Sequence, residues 1–254
     1  MEITYATEGV PGAINEDYVI AGPQWVVVLD GATPRIGVDT GCVHDVPWLV
    51  HRLGSEFARR LVLAPDLALS EALAETIIAV RAAHESTCDL SNPDSPSSTV
   101  AVLRQRAGEL DYLVLGDSLL LLDIDGTIRA ITDDRNAYLP RYTAEIVRAY
   151  RNQPHGFWVA STVPEAAYHA ITDTRPLAEL RRAVLLSDGA SRYVERLGLG
   201  KWTELVDVLE RYGPADLIQR VRVAERAQLP PESVDPVGRR IKRHDDATAV
   251  LIHF

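Results

Sequence analysis

The sequence predicts an α+β fold with mostly antiparallel sheets packed between or beneath helices. Three observations carry this. Short β-branched runs come in clusters, and paired helical stretches separate the clusters. The regular βαβα alternation of a parallel doubly wound sheet does not occur. Turn residues join neighbouring strands, at AGPQ (21–24), RAGE (106–109), GDS (116–118) and DIDG (123–126).

The elements follow in order. A strand near Asp17–Ala21 turns into Trp25–Asp30, whose apolar run ends in Asp30 and Gly31. A helix is expected over Val46–Leu63, with Pro47 in its first turn, where a missing N–H costs little. A second covers Asp66–Glu85, with Asp66 as N-cap and an apolar stripe of Leu69, Leu73, Ile77 and Val80. SNPDSPSS (91–98) is a loop. Strands are expected near Ser98–Gln105, Leu110–Leu115, Leu119–Ile124 and Ile128–Thr132. A helix near Tyr142–Arg151 follows. HGFWVAST (155–162) places aromatics for core packing before the helix-like PEAAYHAI. Ala183–Ser187 is a strand, and Lys201–Arg211 and Pro214–Ala227 are helices. LPPESVDPVGRRIKRHDD (229–246) is a long Pro-rich connection into a last strand, Ala247–Phe254. No linker composition marks a boundary, so residues 1–254 are expected to form one domain.

Composition narrows the function. The net charge of −10 argues against a duplex-binding surface. The short basic run RRIKRH (239–244) lacks interleaved aromatics and suits a rim that attracts an anionic substrate, or a solvated charge run. Cys42 and Cys88 match no zinc spacing and form no disulfide framework, which fits a reducing compartment. The N-terminus has no basic-then-apolar leader, and no apolar run approaches the ~20 residues of a membrane span. A cytoplasmic monomer that binds neither nucleic acid nor membrane is expected.

Acids recur where apolar strands stop or start: Glu16-Asp17, Asp30, Asp117, Asp188 and Asp245-Asp246. Each alone reads as a turn or a solvated strand end. Gathered at one rim they would repel one another unless cations neutralise them. Oxygen-only ligands select hard ions such as Mg²⁺ or Mn²⁺, and two such ions make a hydrolytic site for phosphate esters.

The blocks NED, VVVLDG, SSTVAVL, LGDS, ITDD, LLSDG and DDATAVLI occur in that order between Asn15 and Ile252. In this they resemble the metal-dependent protein phosphatases of type 2C, as a divergent bacterial member. The resemblance implies a four-layer α/β/β/α sandwich of two antiparallel sheets flanked by helix pairs. It implies that Asp30 bridges two Mn²⁺ or Mg²⁺ ions, that Gly31 offers its carbonyl, and that Glu16 holds the second ion. Asp188 and Asp245 would hold the first, and Asp117 with Asp188 a looser third. Asp17 and Asp246 match motif neighbours, and Thr99 a supporting threonine. The implied reaction is hydrolysis of phosphoserine or phosphothreonine in proteins by a water activated between two ions.

The pattern also departs from the family. Gly12 stands where the family carries a phosphate-gripping arginine, Ala32 follows Asp-Gly, Leu119 follows the GDS block, and Arg135 replaces a histidine. Arg35 is then the candidate phosphate contact, its planar fork suiting phosphate, or else a solvated loop charge. His44 is the candidate proton donor to the leaving group, or else a cap or packing residue. Tyr142–Arg151 falls where bacterial relatives carry a flap, a candidate specificity element. A small phosphorylated metabolite as substrate, or a metal-binding pseudophosphatase acting as a regulatory module, are the alternatives.

Overall fold

The computed structural model describes residues 1–33, 37–229, 232–234 and 240–254. Its strands are β1 (Glu2–Glu8), β2 (Asp17–Gly22), β3 (Trp25–Gly31), β4 (Ser98–Arg106), β5 (Glu109–Leu115), β6 (Leu119–Ile124), β7 (Thr127–Ile131), β8 (Ile171–Pro176), β9 (Leu180–Leu186), β10 (Glu232–Val234), β11 (Arg240–Lys242) and β12 (Ala247–His253). Its α-helices are α1 (Val46–Leu63), α2 (Leu69–His84), α3 (Ala144–Tyr150), α4 (Asp188–Glu195), α5 (Trp202–Tyr212) and α6 (Pro214–Gln228).

The strands form two five-stranded antiparallel sheets, ordered β2-β3-β4-β5-β8 and β1-β12-β9-β6-β7. Alternation along each strand decides which residues meet. Val26 and Val28 of β3 point to the second sheet, where Leu120, Leu122, Leu185, Val250 and Ile252 meet them. Val27 and Leu29 point the other way, onto α1 and α2 through Leu53, Phe57, Leu73 and Ile77. The second sheet's outer face carries α4, α5 and α6 through Val184, Leu186, Leu205, Leu209 and Val221. The result is the expected four-layer α/β/β/α sandwich. Strands buried on both faces explain the unbroken apolar runs, and each fully buried Leu, Ile or Phe contributes roughly 1.5–3 kcal/mol.

Four expectations are corrected. α2 starts at Leu69 behind Ala68, which gives no side-chain cap, and Asp66 faces Arg106 at 3.6 Å instead. β1 and β8 are strands although their sequences show little alternation; both are sheet-edge strands with mostly exposed or half-exposed residues. Asp188 does not simply close a strand, because it opens α4. The long Pro-rich connection contains an antiparallel pair, β10 with β11.

Candidate metal centre

Asp30 sits at the end of β3, between Asp17 of β2 and Thr99 of β4 in the ladder. The next residue must be small: a Cβ on Gly31 would lie 2.3 Å from Val46 Cγ1 and 2.5 Å from the Glu16 carbonyl oxygen. That close approach lets the Gly31 N–H donate to the Glu16 carbonyl at 3.1 Å, which brings the NED loop against the strand end.

The second sheet delivers the remaining acids. Asp188 begins α4, and its backbone N–H donates to Asp30 Oδ2 at 3.1 Å. Gly189 is packed so tightly that a Cβ would lie 1.9 Å from the Asp246 carbonyl oxygen. Asp245 precedes β12, and both of its carboxylate oxygens meet cations: Arg192 Nη2 at 2.7 Å and Lys242 Nζ at 3.1 Å. Arg192 is itself held by Glu225, fully buried on α6, at 2.8 Å. Glu225 also takes Arg222 at 3.0 Å and lies 2.7 Å from His244 Nδ1. A buried ionic network thus fixes Asp245 from behind.

Glu16 reaches the same place through a relay. Lys242 Nζ donates to Thr33 Oγ1 at 2.7 Å, and Thr33 Oγ1 donates to Glu16 Oε2 at 2.6 Å. Asp246 points the other way and accepts from the Val10 and Glu16 backbone N–H groups at 2.7 and 2.9 Å. It positions the NED loop. Asp17 is buried; Thr248 Oγ1 donates to its Oδ2 at 2.8 Å, while its Oδ1 meets no hydrogen-bond donor among the described residues.

Asp117, in the GDS turn, accepts from Asn136 Nδ2 at 2.6 Å. Thr99 Oγ1 and Ser118 Oγ lie 2.6 Å apart beneath it. Arg135, in the place of a family histidine, is committed to Asp133 at 2.6 and 2.5 Å and to the His169 carbonyl at 2.7 Å. It is a strut, not a substrate group. A cleft of about 520 Å³ collects Asp30, Gly31, Asp117, Asp188, Lys242 and Asp245 on its lining. Its far side is Tyr142, Val147, Arg151, Phe157 and Val159, from α3 and the segment after it.

The electrostatics follow from this crowding. Withdrawal from solvent, then Asp17, Asp188, Asp117 and Asp245, hold the Asp30 carboxyl well above the ordinary aspartate range. Withdrawal from solvent and Asp245 do the same to Asp188, against the opposing pull of Arg192. Burial lifts Asp17 to about 7 and raises Glu16. Burial opposes the charge on Lys242, but Asp245, Asp188 and Glu16 outweigh it and raise its pKa.

Of the sequence candidates, Asp30, Gly31, Asp117, Asp188 and Asp245 therefore share one cleft, and Glu16 joins through Thr33. Arg35 lies outside the described residues. Gly12 sits in an exposed turn at φ +83° and brings no cation. His44 is not among the cleft-lining side chains; its ring stacks on Trp48 at 3.9 Å, with Cys88 Sγ 3.4 Å from its Nδ1. A proton-donating role is not supported there, because the loop before α1 turns the imidazole toward α2. Sequence reasoning left Lys242 within a loosely placed basic run and passed over Arg192 and Glu225, which sit mid-helix with no motif to single them out.

No curated protein matches the chain in sequence. Solved structures match it closely in shape. Serine/threonine phosphatase Stp1 from Staphylococcus aureus superposes with a TM-score of 0.64 at 15% identity, covering 100% of this chain and 94% of that one. The Ser-Thr phosphatase MsPP from Mycobacterium smegmatis, solved with cacodylate, gives 0.62 at 20%, covering 100% and 98%. The catalytic domain of phosphatase PstP, solved with two manganese ions, gives 0.58 at 20%, covering 98% and 96%. The family model described as protein phosphatase 2C matches residues 10–224. That span takes in the strand that ends in Asp30, the Asp117 turn and the helix that Asp188 opens, so the chain belongs to the protein phosphatase 2C family.

Proposed function

We propose that the chain is a metal-dependent phosphatase of phosphoserine and phosphothreonine in proteins, working as one catalytic unit. The observation that carries this is the convergence of Asp30, Asp117, Asp188 and Asp245 on one cleft, where their charges oppose one another. The donor set fits divalent cations. It is all oxygen, which suits Mn²⁺ or Mg²⁺, and the buried Asp17 Oδ1 beside it has no hydrogen-bond donor among the described residues. Asp30 would face two ions, with Glu16 and the Gly31 carbonyl on one side and Asp188 and Asp245 on the other. Asp117 with Asp188 is the proposed place of a looser third ion.

Bound cations of this kind lower the pKa of a water and offset charge on phosphoryl oxygens. The chain's own residues do the rest. Asp246 fixes the backbone that carries Glu16, Arg192 fixes Asp245, and α3 with the segment after it walls the cleft. Lys242 is a cleft-lining cation able to meet a phosphate where Gly12 cannot, alongside Arg35 as the sequence proposes. The two manganese ions held by PstP and the cacodylate held by MsPP support the reading.

The test is turnover of p-nitrophenyl phosphate and a phosphopeptide panel with Mn²⁺. Activity should vanish with EDTA and fall at least about 100-fold in Asp30→Ala or Asp188→Ala. Undiminished activity in EDTA would sink the proposal. A second reading is favoured by one observation: Lys242 already occupies an oxygen of Asp245. On that reading the protein is a binding module of the same fold, which would take up Mn²⁺ yet hydrolyse nothing in the panel.

A further inference from the structure

Outside the acidic cleft, the fold gathers the only two cysteines of the chain with two histidines. Cys42 and His44 lie on the loop before α1. His84 is the last residue of α2, and Cys88 follows one turn later. Their ligand atoms all lie within 4.8 Å of one another. Cys42 Sγ is 3.5 Å from His84 Nδ1 and 3.6 Å from His44 Nδ1, and Cys88 Sγ is 3.4 Å from His44 Nδ1. We propose that Cys42, His44, His84 and Cys88 form a closed tetrahedral site for zinc, which pins the loop after the Asp30 strand to the end of α2.

The local architecture is built for four convergent ligands. The Cys88 N–H donates to the His84 carbonyl at 3.0 Å, which turns the cysteine back beside the histidine. The Asp89 N–H donates to the Gly41 carbonyl at 2.7 Å, and Asn92 Nδ2 donates to the Asp39 carbonyl at 3.0 Å. Both segments are thus already in register. Trp48 stacks on His44 at 3.9 Å and tilts against His84 at 5.1 Å, so an indole wall orients both imidazoles. His84 is buried, and its polar neighbour in the cluster is a thiol, a weak partner for a buried imidazole.

Ligand chemistry selects the ion. Two thiolates and two imidazoles suit zinc, and they contrast with the oxygen-only set in the cleft. Four protein ligands leave no open position, which marks a structural site, not a catalytic one. The two free sulfurs lie 2.7 Å apart. Zinc–sulfur bonds of about 2.3 Å at a tetrahedral angle put sulfurs roughly 3.8 Å apart, so loading parts them by about 1 Å. Each bound cysteine gives up its thiol proton to solvent, and no electron changes hands.

Elemental analysis of the full chain, purified with reductant, checks this. One equivalent of zinc is expected, and it should resist the chelator treatment that strips the acidic cleft. Cobalt(II) exchanged into the protein should show thiolate-to-cobalt charge-transfer bands and the intense d–d bands of a tetrahedral site. Those bands should persist in Asp30→Ala, weaken in Cys42→Ser and in Cys88→Ser, and disappear in the double variant. Because they require sulfur, they separate this site from the oxygen-only centre whether or not the phosphatase reading stands. A reduced wild-type protein that takes up cobalt without thiolate bands overturns the proposal, even if the cysteine variants fail to fold. So does a pair of thiols found joined as a disulfide that bind no metal after reduction.

Discussion

At the scale of single residues, Asp30, Asp188, Asp17 and Glu16 share one electrostatic predicament. Folding withdraws their carboxylates from solvent and brings them beside one another, and both effects raise their pKa values. For Asp17 the folded value of about 7 stands above an ordinary 3.8, so the folded chain holds the proton more tightly than the unfolded one between those limits. Its stabilising effect is complete below the lower value and is lost as pH rises through the upper. Without divalent metal, thermal stability should therefore fall between about pH 4 and pH 7. With Mn²⁺ the trend should flatten or reverse, since the ions favour the charged forms. Melting curves in EDTA and in Mn²⁺ test both halves, and a metal-free protein that gains stability over this range would contradict the crowding. Most of the acid set was legible in the sequence, because Asp30 and Asp188 follow apolar runs and Asp117 sits in a hairpin turn. Lys242 was legible only as part of a basic run, since its role depends on Thr33 and Asp245 arriving beside it.

At the scale of elements, α6 is where remote packing governs the site. Glu225 is fully buried and collects Arg192, Arg222 and His244, and Arg192 carries the effect to Asp245. Glu225→Gln leaves two buried guanidinium groups short of a counter-charge and should cost roughly 3–5 kcal/mol of stability. It should also raise the Mn²⁺ concentration needed for half-maximal activity. Denaturant unfolding and metal titration read the two effects separately, and a variant as stable as the parent would refute the network. The helix α1 was legible from Pro47 in its first turn and α2 from its apolar stripe. β1 and β8 were not, because an edge strand is defined by its neighbour's hydrogen bonds more than by its own side chains. α4 was hidden because Ser-Asp-Gly reads locally as a turn, and only packing on the second sheet extends it into a helix. The cysteine–histidine cluster was equally hidden, since its halves lie before α1 and at the end of α2, with Cys42 and His84 42 residues apart in sequence.

At the scale of the whole molecule, the cleft draws Asp30 from one sheet and Asp188 and Asp245 from segments attached to the other. Antiparallel sheets packed with paired helices were legible from the clustered strands, and the family resemblance implied the sandwich, whereas the strand order was not legible. That order matters, because β12 is wedged between β1 and β9, with Glu2 opposite His253 and Leu186 opposite Ala249. Deleting residues 245–254 should abolish cooperative unfolding and leave aggregation-prone chains, because two strands then lose the neighbour they share. A soluble, cooperatively melting truncation would refute this. The same arrangement sets a clock on synthesis. β2 to β5 can pair as they leave the ribosome, but β1 must wait for β12, which emerges last of all the strands described. Until then the nascent chain has one finished sheet, one with open edges and no Asp245. Biogenesis thus carries its own delay, which keeps the acidic cleft incomplete until β12 has emerged.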